Sequence, residues 1–227
     1  MHATQAAEIP SIGCAADGQT GPLPAPESGV KSIAIDEKSA KHLAYHYSQD
    51  SAPVLGPRGW KCFAYYGSSG STILVARDVA PAWGTKHVEG PAIVPTMYFA
   101  DTSGAFGVAP YLARLYPKEG RKFIQDELVE IRGTTDLNYS YRPYPTDKLD
   151  YIAWHRVAFT TPAHRIGFGT MEFLTPSSLP VSGIVDYRAP AALMFILAMK
   201  LPPALSGLKP AILKQLKVGI DASLSKG

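Results

Sequence analysis

The run Leu193–Lys200 constrains this chain more than any other segment. Residues from Leu193 to Met199 are all apolar, and Pro190 and the Pro202-Pro203 pair bracket them closely. Proline has no amide hydrogen to donate, and its ring clashes with the preceding helical turn. A short apolar run between such brackets reads as a strand buried on both faces. The wider stretch 189–201, broken by Pro190 and Lys200, falls short of the about 20 apolar residues that a membrane-spanning helix needs. It is core, and a sheet must be built around it.

The partners of that strand are visible as β-rich runs. Residues 60–66 and 71–77 are joined by Gly67-Ser68-Ser69-Gly70, a hairpin signal. Residues 92–99 form a third strand, where Pro95 favours an edge position. Residues 150–160 alternate, with Tyr151, Ala153, His155, Val157 and Phe159 on one face, and read as one strand. Runs at 166–174 and 184–187 complete the set. Helical spacing appears at 33–47, with Asp36 as N-cap and a stripe of Ala40, Leu43, Ala44 and Tyr47. It recurs at 104–115, at 118–131 (Phe123, Ile124, Leu128, Ile131) and at the C-terminus (Leu205, Leu208, Ile212, Leu216). Residues 51–59 and 138–147 read as loops. With 20 Gly and 20 Pro the chain must turn often, yet no collagen-like period or internal repeat is present. The sum is an α+β fold: a single domain, 31–227, with an antiparallel or mixed sheet flanked by helices, and an extended, irregular arm at 1–30.

Charge excludes more than it indicates. The 22 Lys and Arg against 19 Asp and Glu leave a net charge of +3, and the basic residues are scattered. The densest late group, Lys209, Lys214 and Lys217, is a solvated helix face. No basic stripe or motif points to nucleic acid. At 46% hydrophobic and 18% charged, the chain is not of the disordered class.

Cys14 and Cys62 are the only cysteines. Cys14 stands in a Gly/Pro-rich segment with little apolar surface of its own, and Cys62 in a strand-like run. A disulfide would tether the arm to the body and place the protein in an oxidising compartment. Two buried free thiols are the competing reading. A metal site is disfavoured because no CxxC exists. A lipobox at Ser11-Ile12-Gly13-Cys14 lacks a preceding apolar run. The N-terminus shows no basic region followed by an apolar one, so the opening reads as that of a mature chain without its signal peptide.

The segments Gly13-Cys14-Ala15-Ala16-Asp17-Gly18-Gln19-Thr20-Gly21-Pro22, Gly56-Pro57-Arg58-Gly59-Trp60-Lys61-Cys62-Phe63 and Tyr66-Gly67-Ser68-Ser69-Gly70-Ser71 resemble a group of uncharacterised exported proteins from Gram-negative bacteria. Thr161-Pro162, Gly167-Phe168-Gly169-Thr170 and Leu201-Pro202-Pro203 are similar as well. The resemblance implies export, to the periplasm or beyond, and the pairing of Cys14 with Cys62. It implies no activity and no catalytic residue.

His42 and His46 stand i and i+4 on the expected helix, a spacing suited to a metal, but on its solvent side and without the Glu of HExxH. Gly67-Ser68-Ser69-Gly70-Ser71 fails as a nucleophile elbow, because Ser71 stands where glycine is required and the context is strand–turn–strand. Cys62 with His155 needs a free thiol. Asp126, Glu127 and Glu130 share one helix, whereas glycosidase carboxylates face each other across a cleft. The P-loop, GxGxxG, EF-hand, CxxC and HExxH patterns are absent, so no organic cofactor or metal is signalled.

The most informative surface is the loop Tyr139-Ser140-Tyr141-Arg142-Pro143-Tyr144-Pro145. Tyr and Arg dominate binding hot spots and proline stiffens a loop. Tyr139, Tyr141, Arg142 and Tyr144 are the expected contact residues; otherwise the rings pack back on the body. The functional expectation is a non-catalytic exported protein that binds a glycan, a cell-wall component or a protein partner of the envelope. The alternative is a hydrolase with a site assembled from distant residues, with Asp101, His155 and Asp186 as first suspects.

Overall fold

The computed structural model describes residues 6–78, 80–135 and 137–224, with residues 217–224 by backbone only. The chain opens with β1 (Ala6–Gly13), β2 (Ala15–Gly18) and β3 (Gly29–Ala34), followed by a single helical turn α1 (Glu37–Ala40), β4 (Leu43–Tyr47) and β5 (Val54–Pro57). The hairpin β6 (Lys61–Gly67) and β7 (Gly70–Ala76) leads to β8 (Ala92–Phe99). Two helices, α2 (Ala105–Leu115) and α3 (Pro117–Phe123), come next, and α3 continues into a π-helical segment, Ile124–Glu130. Then follow β9 (Lys148–Ala153), β10 (Arg156–Thr161), β11 (Val181–Arg188), β12 (Leu193–Lys200) and the C-terminal α4 (Lys209–Leu224).

The strands build two sheets. A four-stranded sheet has the order β3-β1-β4-β5, and an eight-stranded sheet the order β2-β6-β7-β8-β12-β11-β10-β9. Neighbours are antiparallel except β1–β4 and β2–β6, which are parallel, so the fold is mixed α+β as expected. The small sheet and α4 cover one face of the large sheet, and α2 covers the other. β12 lies inside this three-layer stack. Phe195, Leu197 and Met199 face the small sheet while Met194, Ile196 and Ala198 face the helix side. Both faces are dry, which is why its sequence is a continuous apolar run. Lys200 ends that run buried. Its ammonium donates to the carbonyls of Thr175 at 2.7 Å, Glu89 at 2.9 Å and Val88 at 3.1 Å, fastening two loops to the sheet.

Several expectations are corrected. The segment 1–30 is no irregular arm in its described part, since β1 belongs to the small sheet and β2 to the large one; residues 1–5 lie outside the described residues. Residues 33–47 are not one helix. Asp36 does cap, accepting from the Ser39 amide at 2.8 Å, but the helix ends after one turn and β4 follows. Leu43, Tyr45 and Tyr47, which follow it, find sheet partners in β1 and β5, which outweighs weak helical propensity. The expected loop 51–59 contains β5. Pro95 sits in a central strand rather than at an edge. The β7–β8 ladder breaks opposite it, between Thr72↔Thr96 and Val75↔Ile93, so its missing amide costs no bond that the rest of the ladder cannot spare. Residues 150–160 are two strands of a hairpin, turning at Trp154-His155. The register shifts between Arg156 and Val157, and this bulge re-aims the hairpin tip. The run 166–174 holds a 3-10 turn, Phe168–Thr170, in place of a strand.

Gly120 decides how the helices sit. A Cβ there would lie 2.6 Å from the Ala113 backbone, so only glycine lets α3 close against α2. That close crossing builds one wall of the site.

Candidate functional site

A groove of about 600 Å³ opens between α2–α3, the tip of the β9–β10 hairpin and the end of β11. Its walls are aromatic. Tyr116 meets Tyr151 edge-on at 6.1 Å, and Phe123 meets Tyr187 edge-on at 6.3 Å. Tyr151 is held by a hydrogen bond from its hydroxyl to the Leu115 carbonyl at 3.1 Å. Trp154 stands at the hairpin tip, 72% exposed, with its ring against His155 at 5.1 Å. Glu119, Lys122 and Asp126 form a charged rim, and Lys122 pairs with Asp126 at 2.5 Å. Burial pushes the Tyr116 phenol up to about 12, aided by Tyr151 and by Asp186, and it raises Tyr151 and Tyr187 too. The groove therefore presents neutral phenols at neutral pH.

Behind the groove lies Asp186, fully buried. It stands opposite Arg156 in the β10–β11 register and two residues before Arg188, so all three share one face. Arg156 Nε donates to it at 2.5 Å and Arg188 Nε at 2.6 Å. His155 Nε2 is 3.8 Å from Oδ1, the oxygen that Arg188 Nε also takes. Of the suspected trio Asp101, His155 and Asp186, the fold joins the last two. Asp101 is exposed in the turn after β8, and no hydrogen bond or ion pair links it to either among the described residues.

The tyrosine loop packs back on the body. Tyr139 and Tyr141 cover the apolar side of α2 and the π-helical segment, against Ala105, Ala109, Ala113, Ile124 and Leu128. Tyr144 meets Phe168 edge-on at 5.3 Å. What the loop shows outward is arginine: Arg142 is exposed, Arg121 lies over Tyr141 at 3.8 Å and Arg114 over Tyr144 at 4.0 Å. Tyr139, Tyr141 and Tyr144 are half-buried supports.

Cys14 and Cys62 form a disulfide, which removes Cys62 as a nucleophile for His155. The carboxylates of the third helix are occupied locally, Glu127 by Arg132 at 3.1 Å and Asp126 by Lys122. His42 is exposed, but His46 is buried on β4, not in solvent. Gly56 of β5 leaves room for its imidazole, and a Cβ there would come within 3.0 Å of Nδ1. Burial lowers the His46 pKa to about 4. The unfolded chain gains that proton near pH 6.5, so stability should fall as pH drops from 6.5 to 4, by ~3 kcal/mol in all. Urea midpoints of wild type and His46→Phe at pH 7 and pH 4.5 check this: the variant should lose much less stability on acidification.

The sequence reading missed two features. One is the groove, whose aromatics are spread over 116–187. The other is Glu172, which accepts from Tyr98 at 2.9 Å and Tyr111 at 3.0 Å and whose pKa burial raises. No local pattern marks either. Comparison with protein-family models, curated proteins and solved structures finds no match to this chain. Among the described residues no helix is long and apolar enough to cross a membrane, and no cluster of metal-ligating side chains is present.

Proposed function

We propose that this chain is an exported, non-catalytic protein of the bacterial cell envelope, periplasmic or secreted, whose aromatic groove binds a glycan. The observation that carries this reading is the combination of Tyr151, Trp154, Phe123 and Tyr187 along one cleft with the charged rim of Glu119, Lys122 and Asp126. Aromatic faces stack on the apolar faces of sugar rings, and rim charges bond hydroxyls. The cleft volume is in the usual range for small-ligand sites. The Cys14–Cys62 disulfide and the resemblance to exported proteins support the compartment. The test is titration with soluble peptidoglycan glycan-strand oligosaccharides, followed by tryptophan emission and calorimetry. Trp154→Ala should weaken binding by ~2 kcal/mol, about 30-fold, because it removes an aromatic anchor. Its melting temperature should hardly move, since Trp154 is largely exposed. Equal binding by the variant defeats the assignment.

A hydrolase is the second reading, and one observation favours it: His155 lines the groove with Asp186 at 3.8 Å. Against it, both oxygens of Asp186 are engaged by arginines, and Asp126 on the rim is paired with Lys122. Prolonged incubation with the same oligosaccharides separates the readings. Cleavage products lost in His155→Ala would establish the hydrolase.

A further inference from the structure

On the other side of α3 from the groove, three guanidiniums bear on the tyrosine loop. Arg114 stacks over Tyr144 and donates through Nη1 to the Arg142 carbonyl at 2.9 Å. Arg121 stacks over Tyr141. Tyr141 and Tyr144 are three residues apart, so their Cα atoms are at most about 10 Å apart. All three arginines therefore meet the loop within residues 141–144: Arg121 on Tyr141, Arg114 on Tyr144 and on the carbonyl of Arg142 itself. None of them enters an ion pair among the described residues. Asp147, the acidic group that acts on Arg114, is turned inward and accepts from the Phe168 amide at 2.7 Å. Stacking on a ring fixes each guanidinium plane while leaving donors along its edge free. With Asp147 turned inward, the like charges on this short loop still repel one another, and an anionic ligand relieves that repulsion.

We propose that Arg114, Arg121 and Arg142 form a binding site for a phosphomonoester. A carboxylate brings one negative charge, whereas a phosphomonoester carries about −1.5 to −2 at pH 7 with three acceptor oxygens, a match for several forked donors. The site does not depend on the glycan groove. Its ligand is a phosphomonoester group, presented by a membrane lipid or by a small molecule free in solution; sugar phosphates serve as the probes.

The test uses the full chain and three probes: vesicles containing lipid A, vesicles containing dephosphorylated lipid A, and soluble glucosamine 6-phosphate. Binding to the first and not the second, weakened about tenfold per guanidinium in Arg121→Gln/Arg142→Gln, is the expected result. Both side chains are exposed, so the variant should fold normally. Saturable binding of glucosamine 6-phosphate with the same sensitivity assigns the site to free sugar phosphates and equally supports it. Lys38→Gln/Lys41→Gln removes the same charge from another exposed surface and should change nothing. Equal binding to the dephosphorylated vesicles, no binding of any phosphorylated probe, or an equal loss in the lysine variant overturns the proposal. Trp154→Ala should leave phosphate binding intact, which keeps a failure of the groove reading separate.

Discussion

Replacing Cys14 and Cys62 together by alanine is expected to lower the stability of the fold by about 4 kcal/mol. The disulfide closes a loop with a sequence separation of 48, and the loop-entropy relation gives that magnitude for this length. The location adds to the argument. β1 ends at Gly13 in the small sheet and β2 begins at Ala15 in the large one, so Cys14 is the crossing point between sheets. Its partner is on β6, the strand that pairs with β2. The Cys14 amide also donates to the Tyr47 carbonyl at 2.8 Å, which binds the crossing to β4. Without the bridge, β2 keeps its short parallel pairing with β6 and the Ala16–Leu23 bridge to hold it. A drop in Tm on the order of 10 °C is expected for a chain of this size. The denaturant m-value should rise, because the unfolded chain becomes more open. A Tm loss below about 3 °C would show that backbone pairing alone secures the crossing. Reduction of the wild-type protein should reproduce the variant.

Asp186→Asn is expected to cost about 3–5 kcal/mol, because it removes the buried carboxylate that Arg156 and Arg188 both hold. The Asp186 side chain is 1% exposed, Arg156 9% and Arg188 22%. Their mutual contacts offset the cost of taking these charges out of water. A full apolar replacement, Arg156→Met/Asp186→Leu/Arg188→Met, should therefore regain most of the loss, since it removes the desolvation along with the attraction. Chemical denaturation of wild type, single and triple variants decides it. If Asp186→Asn falls within about 1 kcal/mol of wild type, the cluster is solvated enough to be dispensable. The same measurement bears on function, because His155 joins this cluster at the groove.

The fold was legible wherever a local signal leaves little choice. Leu193–Lys200 could only be a strand with two dry faces, because prolines forbid a long helix and no residue before Lys200 offers a polar face. Gly67-Ser68-Ser69-Gly70 could close a hairpin, and it does. Asp36 could cap a helix start, though nothing local said that the helix would last one turn. With two cysteines, the partner of each was unambiguous once the pair was oxidised. The spacing Leu205, Leu208, Ile212 and Leu216 is helical, and Leu208, Ile212 and Leu216 are buried against the small sheet.

The candidate site was not legible, and the reasons are specific. Alternation through Trp154-His155 is continuous, and no Gly, Asn or Asp marks the turn, so one long strand and a bulged hairpin give the same pattern. That hairpin puts Trp154 and Tyr151 beside Phe123 and Tyr187, residues that no sequence window holds together. The tyrosine loop looked like an exposed platform because aromatic content says nothing about which side of a ring is covered. Only the packing of α2 shows the tyrosines as supports and the arginines as the outward surface. Composition and local pattern thus determined the strand-rich α+β class and the central strand, and favoured the disulfide over two free thiols. Tertiary structure alone decided the groove, the buried aspartate and the arginine cluster, because each is made by side chains whose burial depends on long-range register.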